Sequence, residues 1–297
     1  DPDGDWSSDV CSSDLHYCNL RTLRTMRPCD GIPHRENIID ACVIRARQPI
    51  TLPRVPVLVT TLCRVRQGEK LLQWDDREMR AGPQHLILMP AGRELGISNF
   101  PGLHGHYVAD AVTFPVSTLR NFSARYSQQI MSRRGVLKTD LCVPLDRHTT
   151  QAWDQLLASI NANAPDALRT LYGEAVLLSL CLDGQLGPLL MGRNDPICER
   201  VQQILMGSPE RDWTVASVAQ HLNLGESTLR RQLANEGDSF RHILEGVRLA
   251  TALQWLQTSS RPIGEIAGAC GYASASRFAV RFRSHYGLSP RELRAAI

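Results

Sequence analysis

Two arginines four residues apart, Arg277 and Arg281, alternate with two phenylalanines four apart, Phe278 and Phe282, in the stretch GYASASRFAVRFRSHYGLSP (271–290). Side chains at that spacing meet on one helical face, so the pattern predicts an aromatic face for packing and a neighbouring guanidinium face for anions. Ala273, Ser274, Ala275 and Ser276 open this helix, and side chains so small let its start approach another surface closely. A guanidinium can pair with a phosphate, or hydrogen-bond with both its nitrogens to the edge of a guanine. From Gly271 to Ile297 five arginines (277, 281, 283, 291, 294) stand against one acid, Glu292, giving +5 − 1 = +4. That patch alone reads as a solvated surface, so the chemistry must be judged from the elements that position it.

Metal and thiol chemistry have weaker support. Nine cysteines (11, 18, 29, 42, 63, 142, 181, 198, 270) include no C-x-x-C pair. An odd, unpatterned count argues against a disulfide framework and for a reducing compartment. His104 and His106 would share a strand face, yet no third His or carboxylate stands with them at a useful spacing. His85 reads as a strand residue and Trp74 as core. Composition is that of a globular chain: 43% hydrophobic, 21% charged, net charge +3. The longest apolar run, AVLLSLCL (175–182), is far shorter than the ~18 residues of a membrane span. The acidic start DPDGDW does not read as a signal peptide.

The elements come from periodicity. Residues 195–297 read as helical throughout and contain an internal repeat. TVASVAQHLNLGESTLRRQL (214–233) matches PIGEIAGACGYASASRFAVRF (262–282): Val215, Val218, Ala219 and Leu222 recur as Ile263, Ile266, Ala267 and Cys270, each 48 residues on. Leu229 and Leu233 recur as Phe278 and Phe282, 49 residues on. Each copy predicts two short amphipathic helices joined at a residue that tolerates left-handed backbone, Asn223 or Gly271. That is the layout of a helix-turn-helix, whose second helix fits a major groove. Between the copies, 238–259 reads as one long helix capped by Asp238 or Ser239, with Phe240, Ile243, Leu244, Val247, Leu253 and Leu256 free to pack on both modules. A rod of that kind can hold two reading helices about one DNA turn apart, ~34 Å.

Upstream, residues from about 35 to 146 show short β-rich runs (38–46, 55–65, 70–74, 85–90, 94–99, 107–114) broken by Pro and Gly, which predicts a sandwich or barrel. Residues 147–192 read as helices: Trp153, Leu156, Leu157 and Ile160 form one stripe; Leu168, Leu171, Ala175, Leu178 and Leu182 form another. The second stripe is read most simply as core, with a dimer contact as the other reading. Residues 1–25, with the near-repeat SSDVC/SSDL, read as a disordered or non-native leader.

Residues 195–297 resemble the C-terminal domain of AraC/XylS-type transcriptional regulators. RLATALQWL (248–256), PIGEIAGACGY (262–272) and SRFAVRFRSHYGLSPRELR (276–294) carry the likeness, above all the spacing from Ala267 through Phe278 and Phe282 to Gly287, Ser289 and Pro290. Asn223 and Gly225 depart from the family pattern, which favours Gly and a capping Ser there; Ala273 replaces a frequent polar cap. The resemblance implies a DNA-reading surface of Ser227, Thr228, Arg230 and Arg231 in the first module and Ser274, Ala275, Ser276, Arg277, Ala279 and Arg281 in the second. Ala275, Ser276 and Ala279 would face the groove, while Arg277 and Arg281 would touch phosphate or solvent. Arg230 and Arg231 stay open between base and phosphate contact.

The stretch PAGRELGISN (90–99) resembles the second motif of cupin barrels, matching Pro90, Gly92 and Asn99 but carrying Leu95 at the metal-binding His position. Together these resemblances imply an α+β chain of two domains: a cupin-like β-barrel with following helices (26–146, then a dimerisation or linker region at 147–192) and an all-α tandem helix-turn-helix (195–297). They imply a cytoplasmic regulator of promoter DNA, an activator by default, with RNA polymerase, a small-molecule effector and a second copy as partners and with no cofactor, metal or membrane. The alternative is a cupin metalloenzyme fused to a DNA-binding domain, which Leu95 disfavours. A DNA-repair relative using a zinc-bound cysteine would need a cysteine cluster that Cys11, Cys18 and Cys29 are too poorly spaced to supply.

Overall fold

The computed structural model describes residues 38–103, 105–133, 140–190 and 196–297. The expected leader, Cys11, Cys18, Cys29 and His104 lie outside these. Among the described residues nine strands form two antiparallel sheets. One has the order β1(Asp40–Ala46), β8(Tyr107–Phe114), β3(Thr60–Gln67), β6(His85–Met89), β9(Cys142–Pro144); the other has β2(Ile50–Pro56), β7(Glu94–Phe100), β4(Glu69–Trp74), β5(Arg77–Ala81). β1 to β4 and β5 to β8 alternate between the sheets, with β4 and β5 paired as a hairpin in the second, in the manner of a jelly roll. The expected closed barrel is not formed: among the described residues no ladder joins the two sheets, which pack face to face instead.

Alternation sets which side chain goes where. Cys63 and Val65 of β3, with Ile87 of β6 and Ala109 of β8, point between the sheets. Leu62, Leu86, Leu88, Val112 and Phe114 point the other way, into a helical layer. β6 and β8 are buried on both faces, which is why they read as long apolar runs. The helical layer is α1(Val116–Arg125), α2(Ser127–Ser132), α3(Arg147–Asn161), α4(Asp166–Leu182) and α5(Gly187–Leu190). Trp153 and Leu156 are fully buried, as their spacing predicts.

The second predicted stripe is corrected. Leu168, Leu171 and Leu182 of α4 are 43%, 55% and 49% exposed, and Ala175 is exposed beside them. The core face of α4 is Val176, Leu177, Leu180 and Cys181 instead.

Seven helices follow: α6(Ile197–Met206), α7(Val215–His221), α8(Glu226–Asn235), α9(Phe240–Thr258), α10(Ile263–Ala269), α11(Ala275–Tyr286) and α12(Pro290–Ala296). The repeat survives folding: α7 and α10 are offset by 48 residues at both ends, and α11 starts 49 after α8. α9 serves both copies. Its Ile243 and Val247 enter the core of α6, α7 and α8, while Leu249, Ala252, Leu253 and Leu256 enter that of α10, α11 and α12. This second core is continuous with the space between the sheets, because α9 and α11 pack on β1 and β2. The β1–β2 turn also closes the end of α12, with the Arg47 and Gln48 amides donating to the Ala296 carbonyl at 2.7 and 3.3 Å. Carbonyls in a helix's last turn lack intrahelical partners, so this turn satisfies one of them.

Candidate nucleic-acid interface

Each reading helix is oriented by what it buries. On α8, Leu229 and Leu233 are 0% and 1% exposed. At 100° per residue the opposite face is Ser227 and Arg231, both exposed. Arg230 sits on the flank, 4.0 Å from Glu226 one turn earlier. Thr228 is half-buried. The turn before α8 runs through Asn223 at φ +54°, the left-handed conformation its sequence predicts. Gly225 occupies the α8 N-cap without a side-chain bond.

On α11, Phe278, Phe282 and Tyr286 are fully buried, which turns Ser276, Val280 and Ser284 outward. Ser274 is a cap: its hydroxyl accepts from the Arg277 amide at 3.2 Å. Ala275, Ser276 and Arg277 are exposed at the helix start and Ala279 is half-buried. Arg281 is exposed but held 3.5 Å from Glu245 of α9. Val280, 69% exposed, is a surface residue that sequence reasoning missed; its signal was its place two residues beyond Phe278 and two before Phe282, opposite both. An open groove of about 880 Å³ runs between α9 and α11, and Arg241, Arg277 and Arg281 line it with Val280. Arg248, Leu244 and Tyr272 also line it, with Glu245 as its one acid, and four guanidinium groups against one carboxylate suit a polyanion.

One side chain ties the modules together. Arg248 of α9 donates to the carbonyls of Pro209 (2.9 Å) and Arg211 (3.1 Å), ahead of the first module. The same guanidinium lies over Gly271, the turn of the second, where φ is +77° and an added Cβ would fall 2.5 Å from Nη2. Gly271→Ala should therefore lower stability by about 1–2 kcal/mol, from left-handed strain together with displacement of Arg248. A thermal melt unchanged within error would contradict this.

A second site lies under the reading domain, where α9 crosses the open edge of the sandwich. A cavity of about 170 Å³ is walled by apolar side chains of both sheets, among them Ile44, Val55 and Ile97, and by Leu253, Thr251 and Gln254 of α9. Lys70 reaches into it from β4. Its ammonium donates to Asn99 Oδ1 at 2.6 Å and lies 5.4 Å from the centre of the Tyr107 ring. Lys70 is 2% exposed, and among the described residues it forms no ion pair. Burial pushes its pKa down, against the weaker opposing pull of Cys63 and Cys42. Asn99, matched on the cupin motif, thus meets a lysine, while Leu95 at the motif's metal position is fully buried. Among the described residues no three His, Cys, Asp or Glu side chains are grouped to hold a metal.

Comparison with known proteins bears on the helical domain and on the overall fold. Residues 218–296 match the model of a helix-turn-helix domain family. The HTH-type transcriptional regulator GadX of Escherichia coli O6:H1 is 34% identical over 140 residues, 46% of this chain and 51% of that protein. The urease operon transcriptional activator of Escherichia coli is 33% identical over 101 residues, 34% of each chain. Residues 218–296 therefore form a helix-turn-helix domain. The match to GadX spans about half the length of that curated relative. The fold extends further than the sequence likeness: the fatty-acid-bound ToxT structure from Vibrio cholerae superposes with a TM-score of 0.65 at 13% identity, covering 89% of this chain and 98% of that one. The jelly-roll sheets and the helical domain therefore share one two-domain α+β fold with ToxT. Among the described residues no helix is long and apolar enough to cross a membrane.

Proposed function

We propose that this chain is a sequence-specific, DNA-binding transcriptional regulator, an activator, whose two helix-turn-helix modules occupy successive major-groove segments. The observation that carries this reading is the duplicated module on a shared rod: two helix pairs at a near-constant offset, each with its apolar face buried and its small, hydroxyl or guanidinium side chains outward. Arg231 and Ser227 are the base-reading candidates of the first module, with Thr228 and Arg230 beside them. Ala275, Ser276, Ala279 and Val280 serve the second through van der Waals contacts, and Arg277 and Arg281 hold phosphate. RNA polymerase is the partner that activation requires, and the cytoplasm is where it would be met. The relatives named above are regulators, which favours a non-enzymatic role.

We read the N-terminal jelly roll as a cupin-like sensor without its metal. Its cavity touches α9, so a ligand there contacts the rod that carries both reading heads. A ligand shifts the arrangement of the domains only by binding one arrangement better than another. The ToxT structure contains an unsaturated fatty acid, and an apolar chain ending in a carboxylate would supply the anion that Lys70 lacks. A medium-chain fatty acid should raise the melting temperature of the wild type and leave that of Lys70→Met unchanged; an equal rise in both would remove Lys70 from the effector site. The DNA reading itself is tested by selecting bound duplexes from a random library: recovery of two half-elements one turn apart supports it, and no enrichment refutes it.

A further inference from the structure

We infer that Arg248 is a positioning residue: it fixes the angle between the two reading heads and so sets the half-element spacing the chain accepts, an inference that rests on the DNA reading above. α9 carries both modules, and its burial changes hands at this residue. Val247 is its last side chain in the core of α6, α7 and α8, and Leu249 is its first in that of α10, α11 and α12. Among the described residues no buried side chain belongs to both cores. The rod is also loosest here. Gly246 stands one residue before the changeover, and a Cβ added to it would meet nothing within 4 Å. Glycine inside a helix leaves the backbone freer to bend.

At that point the Arg248 side chain holds one fixed part of each module. Its Nε and Nη2 donate to the Pro209 and Arg211 carbonyls. The segment they grip is fastened to the first module: Trp213 is buried in that core, its Nε1 donates to the Ser208 carbonyl at 2.8 Å, and the Arg211 guanidinium lies 4.4 Å from its ring centre. On its other side the guanidinium lies against Gly271, where an added Cβ would fall 2.5, 2.6 and 2.8 Å from Nη2, Cζ and Nε. That turn is fastened to the second module. The Gly271 and Tyr272 amides donate to the Gly268 and Ala267 carbonyls of α10, both at 2.9 Å, and the Tyr272 ring packs on Phe278, 5.2 Å between centroids. α10 has no basic residue in its own last turn. Arg248 brings a positive charge to that end, where helix carbonyls favour one. Arg281 and Glu245 add a second tie across the seam at 3.5 Å, but both are partly exposed and water weakens such a pair. One added base pair moves a half-element by about 3.4 Å and turns it by about 35°. Heads locked together reject that shift, and heads hinged at Gly246 follow it.

Competition binding of the full chain tests this with the selected pair of half-elements and with the same pair after one base pair is inserted or removed. The quantity read is the ratio of affinities between spacings. Arg248 also lines the groove between α9 and α11, but a lost phosphate contact weakens every duplex alike and cancels from that ratio. The wild type should prefer the selected spacing, and Arg248→Met should lower that preference by about 10-fold. Arg248→Lys keeps the charge without the two-pronged donor and should fall between them. Melting temperatures check folding, and Arg248→Lys carries the test should Arg248→Met not fold. Variants that keep the wild-type preference, or that lose affinity by the same factor at every spacing, overturn the inference and leave the DNA reading standing; so does a wild type that needs both half-elements yet is indifferent to their spacing. A wild type that gains nothing from the second half-element overturns the DNA reading and this inference with it.

Discussion

Phe282→Ala should cost about 3–5 kcal/mol of stability and remove half of the DNA footprint. The ring is fully buried, 5.5 Å from Phe278 and 4.7 Å from Tyr286 between centroids. It is the middle member of the aromatic row that seats α11. Domain stabilities are of the order of 5–15 kcal/mol, so a loss of this size empties much of the folded state of a small module. The first module has a separate core built on Leu229, Leu233, Ile243 and Val247, and it should keep its fold and its half of the contact. Affinity for the full site should fall to that of one module. A melting temperature within about 2 °C of the wild type, where ~3 kcal/mol predicts a far larger shift, would contradict this.

Arg231→Ala should relax base preference at a single position of the site by 1–3 kcal/mol, roughly 5- to 150-fold, while leaving the fold intact. The side chain is exposed and opposite the Leu229–Leu233 face, where a helix lying in the groove meets base edges. Arg277→Ala makes the contrast. A phosphate contact does not read sequence, so this change should weaken all duplexes alike and lower the salt slope by about 1. Competition binding with point-substituted duplexes at two salt concentrations separates the two behaviours. If Arg231→Ala weakens every duplex equally, Arg231 is a phosphate contact and the base reading of the first module must lie elsewhere.

The C-terminal domain was largely legible because its information is local. Periodicity located α9 within two residues of its ends, and the 48-residue offset located both turns with their left-handed residues. Strands were legible where burial on two faces left long apolar runs, as in β6 and β8. β2 and β5 were not. Both are edge strands, and β2 carries Pro53 at a register shift between Leu52 and Val55. Edges tolerate proline and polar residues because one side of the backbone needs no partner, so the turn signals there were misleading. For α4 the period was right and the phase was not: a helix apolar on both faces offers two equivalent stripes, and tertiary packing chooses between them. The Lys70–Asn99 contact needed the β4–β7 pairing, which sets these two residues directly opposite each other. Pairing across 29 residues leaves no mark in either local pattern.

The central claim is that two like modules on one rod read adjacent turns of a single duplex face. Hydroxyl-radical footprinting of the full chain on its selected duplex tests this most directly. The account predicts two protected patches one helical turn apart on the same face, with Phe282→Ala losing the patch of the second module and keeping the other. One continuous patch that fades uniformly in that variant would contradict it.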